Sequence, residues 1–268
     1  ANLTGVVLGA TLTNANFTGA VVKAADFFGT ALTAGQLTST ASYANGDLSA
    51  IRLQDINLTG VSFANKNLSG ADLWDLDFTN SDFTNANLSN GSVAAGTKLT
   101  NANLTNANLT GTDLSNADVT NANFAGTTIK GANVFAGPFT ASQLYSTASY
   151  AAHDLSGIQV IGNLTGWSFA NQNLTGASLR DSVLTNTNFS HANLAGASLS
   201  ESTATNANFT GANLNGVNLS SSSLDNVNFL NANLTAALLY GTYLNLNNAN
   251  FTGANLVSAY FGSSDDDA

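Results

Sequence analysis

His153 and His191 are the only two histidines in 268 residues, and no cysteine accompanies them. They are therefore the only side chains whose ordinary pKa suits proton transfer near neutral pH. Hydrolysis would further need a paired acid and base or an activated nucleophile within hydrogen-bonding reach. Neither histidine has a plausible serine partner, and two lone imidazoles without neighbouring carboxylate pairs make a poor metal site. Both are expected as solvated side chains, so no enzyme and no cofactor is expected. One run suits a cation: Asp265, Asp266 and Asp267. It would hold a divalent ion between subunits, pair with the N-terminal amine of a neighbouring molecule, or serve only as a solubilising tail.

Charge narrows the partners. Sixteen acidic residues against six basic ones give a net charge of −10, and a nucleic-acid ligand held by phosphate contacts needs the opposite sign. Lys23, Arg52, Lys66, Lys98, Lys130 and Arg180 are scattered and make no basic groove. No apolar run approaches the roughly 20 residues of a membrane span. The chain has no methionine and starts at Ala1 inside its repeat pattern, which fits a processed, exported protein on a cell surface or outside the cell.

The elements that position these residues follow from a period. From Phe63 an apolar residue recurs every five positions: Leu68, Leu73, Phe78, Phe83, Leu88 and Val93. After one inserted residue the series resumes at Leu99 and runs through Leu104, Leu109, Leu114, Val119, Phe124, Ile129 and Val134. Neither a helix at 3.6 nor an ordinary strand at 2 gives this spacing. Alanine often stands two before each centre, Asn or Asp one before, and Thr or Ser after, as in Ala102-Asn103-Leu104-Thr105-Asn106. This resembles the pentapeptide-repeat family. The resemblance implies an all-β chain, a right-handed quadrilateral parallel β-helix in which each pentad makes one side and four make a coil.

A superimposed period of twenty agrees with that implication. Phe169, Phe189, Phe209 and Phe229 form one series, and Leu174, Leu194, Leu214 and Leu234 the next. Leu179, Leu199, Leu219 and Leu239 make a third, and the fourth reads Leu184, Ala204, Leu224 and Leu244. Stacked coils place like over like at about 4.8 Å. Asn173, Asn193, Asn213 and Asn233 should form an outward amide ladder, with Asn188, Asn208 and Asn228 on the adjacent side. Trp167 is expected in the core at a corner that needs a local bulge, and Trp74 faces outward as a candidate lateral contact.

Residues 30–49 and 137–156 align nearly without gaps, so a single solenoid over 1–268 contains a partial tandem duplication, about 30–134 and 137–240. In each copy Thr33 with Gln36, or Thr140 with Gln143, forms a capping box. Two short helical insertions follow from this, packed on the solenoid either as docking knobs or as inherited irregularities. Tyr43, Tyr145 and Tyr150 join Trp74 as expected lateral contacts.

The repeat runs from Asn2-Leu3 to Phe261, so open coils are expected at both ends, with Asn2, Leu3, Leu8, Leu256 and Phe261 as self-association residues. The leading expectation is a homo-oligomer or filament stacked head to tail, an extracellular filament, sheath or surface layer. One alternative is a protein-binding module, such as a DNA-mimicking topoisomerase binder. Asp72, Asp77 and Asp82 lie on successive sides, however, and twenty residues on stand Ser92, Thr97 and Ala102, which gives no acidic stripe. The other alternative is an ice-binding face, though the columns after the centres are irregular: Ala170, Ser190, Thr210, Leu230.

Overall fold

The corner of each pentad explains its sequence. After the inward Leu99, Asn101 takes a left-handed conformation (φ 56) and the Ala102 N–H donates to Leu99 O at 2.9 Å. That turn needs a residue tolerating positive φ two places after the centre, which is where Asn recurs. A larger residue than Ala102, itself fully buried, would overpack the interior. The outward Asn one before the centre closes the pentad, its Oδ1 accepting from the backbone N–H two residues on, as from Thr105 to Asn103 at 3.2 Å.

A computed structural model describes residues 1–135 and 137–262. The chain divides into two compact units, Ala1–Ala151 and Ala152–Ala268. Each is a right-handed quadrilateral parallel β-helix whose coils are joined by parallel bridges, such as Asn103 to Asn123 and Asn193 to Asn213. Regular strands are short because each side ends in a turn: β1 (Arg52–Leu53) pairs with β2 (Asp72–Leu73), and β3 (Leu238–Tyr240) with β4 (Tyr260–Gly262), all parallel.

In the first unit the coil spacing is not constant. Asn57 bridges Asp77, but Asp77 bridges Lys98 and Asp82 bridges Asn103, because the wall takes up one extra residue near Gly96. Gly96 has φ +78, and a methyl there would collide with the Asp75 carboxylate of the coil beneath. This corrects the expected column partners of Asp77 and Asp82: Lys98 and Asn103 stand there, not Thr97 and Ala102. In the second unit Asp154 bridges Asn173 and Gln159 bridges Ser178 at nineteen residues, and the twenty-residue columns hold from Asn163 until Ser223 bridges Asn245, so Leu246 follows Leu224, not Leu244.

The aromatic column of the second unit is continuous. Phe169, Phe189, Phe209, Phe229 and Phe251 stack at 5.3, 4.9, 5.2 and 5.1 Å between ring centroids. Trp167 is buried at 9% exposure against Phe169. It needs no bulge: Gly166 takes the left-handed corner (φ 71), and Trp167 N donates to Leu164 O as in any other turn. Each buried centre contributes about 1.5–3 kcal/mol of transfer free energy.

Where Ser or Thr replaces the small inward Ala, its hydroxyl either closes its own turn, as Thr127 Oγ1 does on Phe124 O, or ties one coil to the one before. Thr187 Oγ1 donates to Leu164 O at 2.9 Å and Thr112 Oγ1 to Leu88 O at 2.9 Å, both residues being fully buried. Thr187→Val keeps the shape and deletes this bond, so unfolding in urea should show a loss of about 1–2 kcal/mol. An unchanged midpoint would mean the hydroxyl contributes nothing.

The helical segments are part of the wall. In the first copy α1 (Ala34–Thr38) starts at the Thr33 capping box and α2 (Ala41–Asn45) follows. In the second, α3 (Ala141–Tyr145) starts at the Thr140 box, with α4 (Ala148–Ala151) after it. Leu37 and Leu144 point inward at 0% exposure, as pentad centres do. Gln36 Nε2 donates to Leu12 O and Ala15 O at 2.8 and 2.9 Å, and Gln143 Nε2 to Val119 O and Ala122 O at 2.8 and 3.1 Å. Ser42 Oγ accepts from Val22 N, and Ser149 Oγ from Ile129 N, both at 2.9 Å. Backbone groups that a strand would satisfy are thus satisfied by the helices, so of the two readings the segments fit irregularities within the solenoid and not docking knobs on its outside.

Candidate interaction surfaces

The two histidines do not come together. Both sit exposed at left-handed corners where Asn is usual, His153 at φ 56 and His191 at φ 57. His153 Nδ1 lies 3.2 Å from Gln172 Nε2, while the His191 ring lies over Gly211. Among the described residues no three His, Cys, Asp or Glu side chains converge as for a metal ion, and no helix is long and apolar enough to cross a membrane. Asp265, Asp266 and Asp267 lie outside the described residues. An open hollow of about 630 Å³ beside α1 is lined by Leu12, Phe17, Thr33 and Gln36, amide, hydroxyl and apolar groups with no acid and base facing each other.

The expected lateral contacts are more occupied than their outward positions suggested. Trp74 is half-buried and packs on Phe28 at 5.9 Å, and the Arg52 guanidinium lies 4.6 Å over the Phe28 ring. Arg52 also reaches Asp26 Oδ2 at 3.3 Å through Nη1. Its Nε is 3.2 Å from Asp72 Oδ2, close enough for an ion pair, but the N–H is not directed at the oxygen. Sequence reasoning missed Phe28 and Arg52 because the coil carrying α1 and α2 is long: Asp26 bridges Arg52, and a fixed count of twenty skips over it. Tyr43 is likewise tied down, its hydroxyl donating to Ser62 O and its ring 4.0 Å beneath Lys66 Nζ. Burial raises the Tyr43 phenol pKa and lowers that of the Lys66 ammonium. Tyr145 and Tyr150 face each other at 4.8 Å.

Acidic residues of the first unit recur in columns but alternate with cations. Asp26, Arg52, Asp72, Ser92 and Asp113 form one column, and Asp77, Lys98 and Asp118 another. Hydrogen bonds from Thr84 hold Asp82 below the usual carboxylate range, and bonds from Thr120 do the same for Asp118. A phosphate mimic needs uninterrupted like charge, so the cations disfavour that role for a reason the one-dimensional count did not contain.

The polar ladders are directional. Asn193 donates through Nδ2 to Asn173 Oδ1, Asn213 to Asn193 and Asn233 to Asn213, at 3.3, 2.9 and 3.0 Å. Asn173 in turn donates to Asp154 Oδ1 at 3.3 Å. A carboxylate only accepts, so it suits the receiving end of such a row. In the first unit Asn123 donates to Asn103 and Asn103 to Asp82, each at 3.3 Å. On the adjacent side of the second unit Asn208 reaches Asn188 at 3.4 Å, but Asn228 turns to Thr210 Oγ1 at 3.0 Å.

Burial falls away at the first and last described coils. Asn2 is exposed, Leu3 and Leu8 are half-buried, and Val7 is 74% exposed. Leu256, Val257 and Phe261 are 37, 65 and 45% exposed, whereas Leu234 and Leu239, one coil earlier, are fully buried.

A family model described as pentapeptide repeats in eight copies matches residues 47–90, 94–134 and 240–265, and one described as a pentapeptide repeat region matches 162–229. No curated protein matches significantly. Among solved structures, the chain is similar to HetL, a pentapeptide repeat protein involved in heterocyst differentiation regulation in the cyanobacterium Nostoc sp. strain PCC 7120. Identity is 26%, over 85% of this chain and 94% of that one, with a TM-score of 0.30. It is similar to QnrB1, a plasmid-mediated fluoroquinolone resistance protein, at 18% identity over 76% of this chain and 92% of that one, TM-score 0.41. Rfr23 from the cyanobacterium Cyanothece 51142 matches at 26% identity over 42% of this chain and 90% of that one, TM-score 0.22.

Proposed function

The chain belongs to the pentapeptide-repeat family, and on that premise we propose that it is a non-enzymatic structural protein, an exported subunit whose copies stack end to end into an extracellular filament, sheath or surface layer. The observation that carries this reading is the one-way run of the amide ladder along the coils, Asn233 donating to Asn213, Asn213 to Asn193 and Asn193 to Asn173, which a coil of a second copy could continue. Phe229, Leu234 and Leu239 are fully buried, while their column partners Phe251, Leu256 and Phe261 are only partly covered. Another coil laid over them would bury apolar area worth roughly 25 cal/mol per Å². Ladder polarity favours one orientation. Asn255 spends its Nδ2 on Asn233 and Thr235, and its Oδ1, which accepts from Val257 N, has a second lone pair as a carbonyl oxygen does, while Asn2 Oδ1 accepts from Thr4 N. A donor then meets an acceptor when Asn2 of one copy approaches Asn255 of another, in a heterologous contact that propagates.

Side chains in keeping with a passive role line the outer faces: amides, hydroxyls and internally paired charges, of which exposed ion pairs contribute little free energy. A divalent cation at Asp265, Asp266 and Asp267 belongs to the same proposal as a link between subunits. Electron microscopy of the full chain at neutral pH, with and without a millimolar divalent cation, tests the reading. Filaments that disperse in Phe261→Asp and Val7→Asp variants are the expected result. Monodisperse single chains by sedimentation at every concentration would overturn it, and filaments indifferent to both variants would overturn the edge-coil contact.

A further inference from the structure

Two short helices of the second copy bring a pair of phenols together. Tyr145 ends α3 and Tyr150 lies in α4, with ring centroids 4.8 Å apart and planes inclined by 43°. Tyr145 is 38% exposed and Tyr150 half-buried, so an oxidant reaches the pair from solvent. The segment between them is anchored to the wall. Leu144 is fully buried, and Ser149 and Gln143 are hydrogen-bonded to backbone of the coil beneath. The rings are therefore held in contact by the fold and do not depend on a chance encounter.

The geometry points to Tyr145 and Tyr150 as an oxidative cross-linking site that forms an intramolecular dityrosine. Each phenol loses one electron and one proton to a one-electron oxidant of the haem peroxidase class, charged by hydrogen peroxide. The two phenoxyl radicals then couple through a carbon ortho to each hydroxyl, forming one C–C bond. Both ring hydrogens at the new bond shift as protons to the phenolic oxygens and restore the aromatic rings. In sum, two phenols and one hydrogen peroxide give one biphenol and two waters. Holding the rings in contact makes coupling unimolecular, which favours it over collision between molecules.

The first copy is an internal contrast. Thr38 stands where the second copy has Tyr145, so Tyr43, the counterpart of Tyr150, has no second phenol at that place. Of the other tyrosines, Tyr240 and Tyr260 meet edge to face at 5.7 Å and 65°, and Tyr243 is 78% exposed. The cross-link would staple α3 to α4 and lock a segment that forms part of the wall.

Dilute full chain treated with peroxidase and hydrogen peroxide tests this through dityrosine fluorescence, intact mass and fragment-ion mapping. The expected result is monomer that has lost two hydrogen atoms, with no backbone fragments released between residues 145 and 150. Tyr145→Phe and Tyr150→Phe, each with an unchanged circular dichroism spectrum, should lose the monomer fluorescence, and Tyr243→Phe should keep it. Fluorescence that persists in Tyr145→Phe, a bond mapped to Tyr240 and Tyr260, or product found only in covalent dimers through Tyr243 would each overturn the assignment.

Discussion

Phe209→Ala lowers the unfolding free energy by about 3–5 kcal/mol, the range for deleting a fully buried aromatic ring. The ring is enclosed from both sides along the axis, lying between Phe189 at 4.9 Å and 4° and Phe229 at 5.2 Å and 20°. Parallel backbone bridges above and below hold its neighbours at the coil spacing, so the wall cannot collapse into the space the ring leaves. The loss therefore includes the cavity as well as the transfer free energy. Urea unfolding followed by circular dichroism measures it. The control is Phe251→Ala, which removes the same ring where it is only half-buried and stacked on one side, at about 1–2 kcal/mol. Equal losses at the two positions would refute the idea that enclosure by stacked coils is the main source of stability.

That contrast separates what could be read along the chain from what could not. The five-residue and twenty-residue periods are properties of side-chain type, so the pentad and the Phe column are visible in the residues themselves, and the square coil follows from the family resemblance those pentads carry. The capping boxes at Thr33 and Thr140 were visible because they are local and depend on a three-residue spacing. Register across an insertion is not local. One extra residue near Gly96 sets Lys98 beside Asp77, and two near Gly241 set Leu246 after Leu224. Which coil absorbs an extra residue is decided by where a left-handed corner and an open wall coincide, a three-dimensional condition. The companions of Trp74, Phe28 and Arg52, are hidden from a reading along the chain by the long coil that contains α1 and α2.

The same condition decides what the helical segments are. A knob on the outside of a solenoid would carry its apolar residues against the wall and could be weakened without opening the coil. Leu144 instead occupies a centre, fully buried, and Ser149 and Ala148 take over the bonds of Ile129 N and Thr127 O that a strand would make. Leu144→Ala should therefore cost about 2–5 kcal/mol in the unfolding of the first unit, as for any buried leucine. Gln143→Ala should also destabilise, because it removes the capping box and both carbonyl contacts at Val119 and Ala122. An external knob predicts a different outcome: a change within about 0.5 kcal/mol, as for surface positions, with hydrogen exchange rising only in α3 and α4. Exchange that rises also at Ile129, whose N–H is bonded to Ser149 Oγ, would mark the segment as one side of the coil, since opening it would expose the backbone it covers.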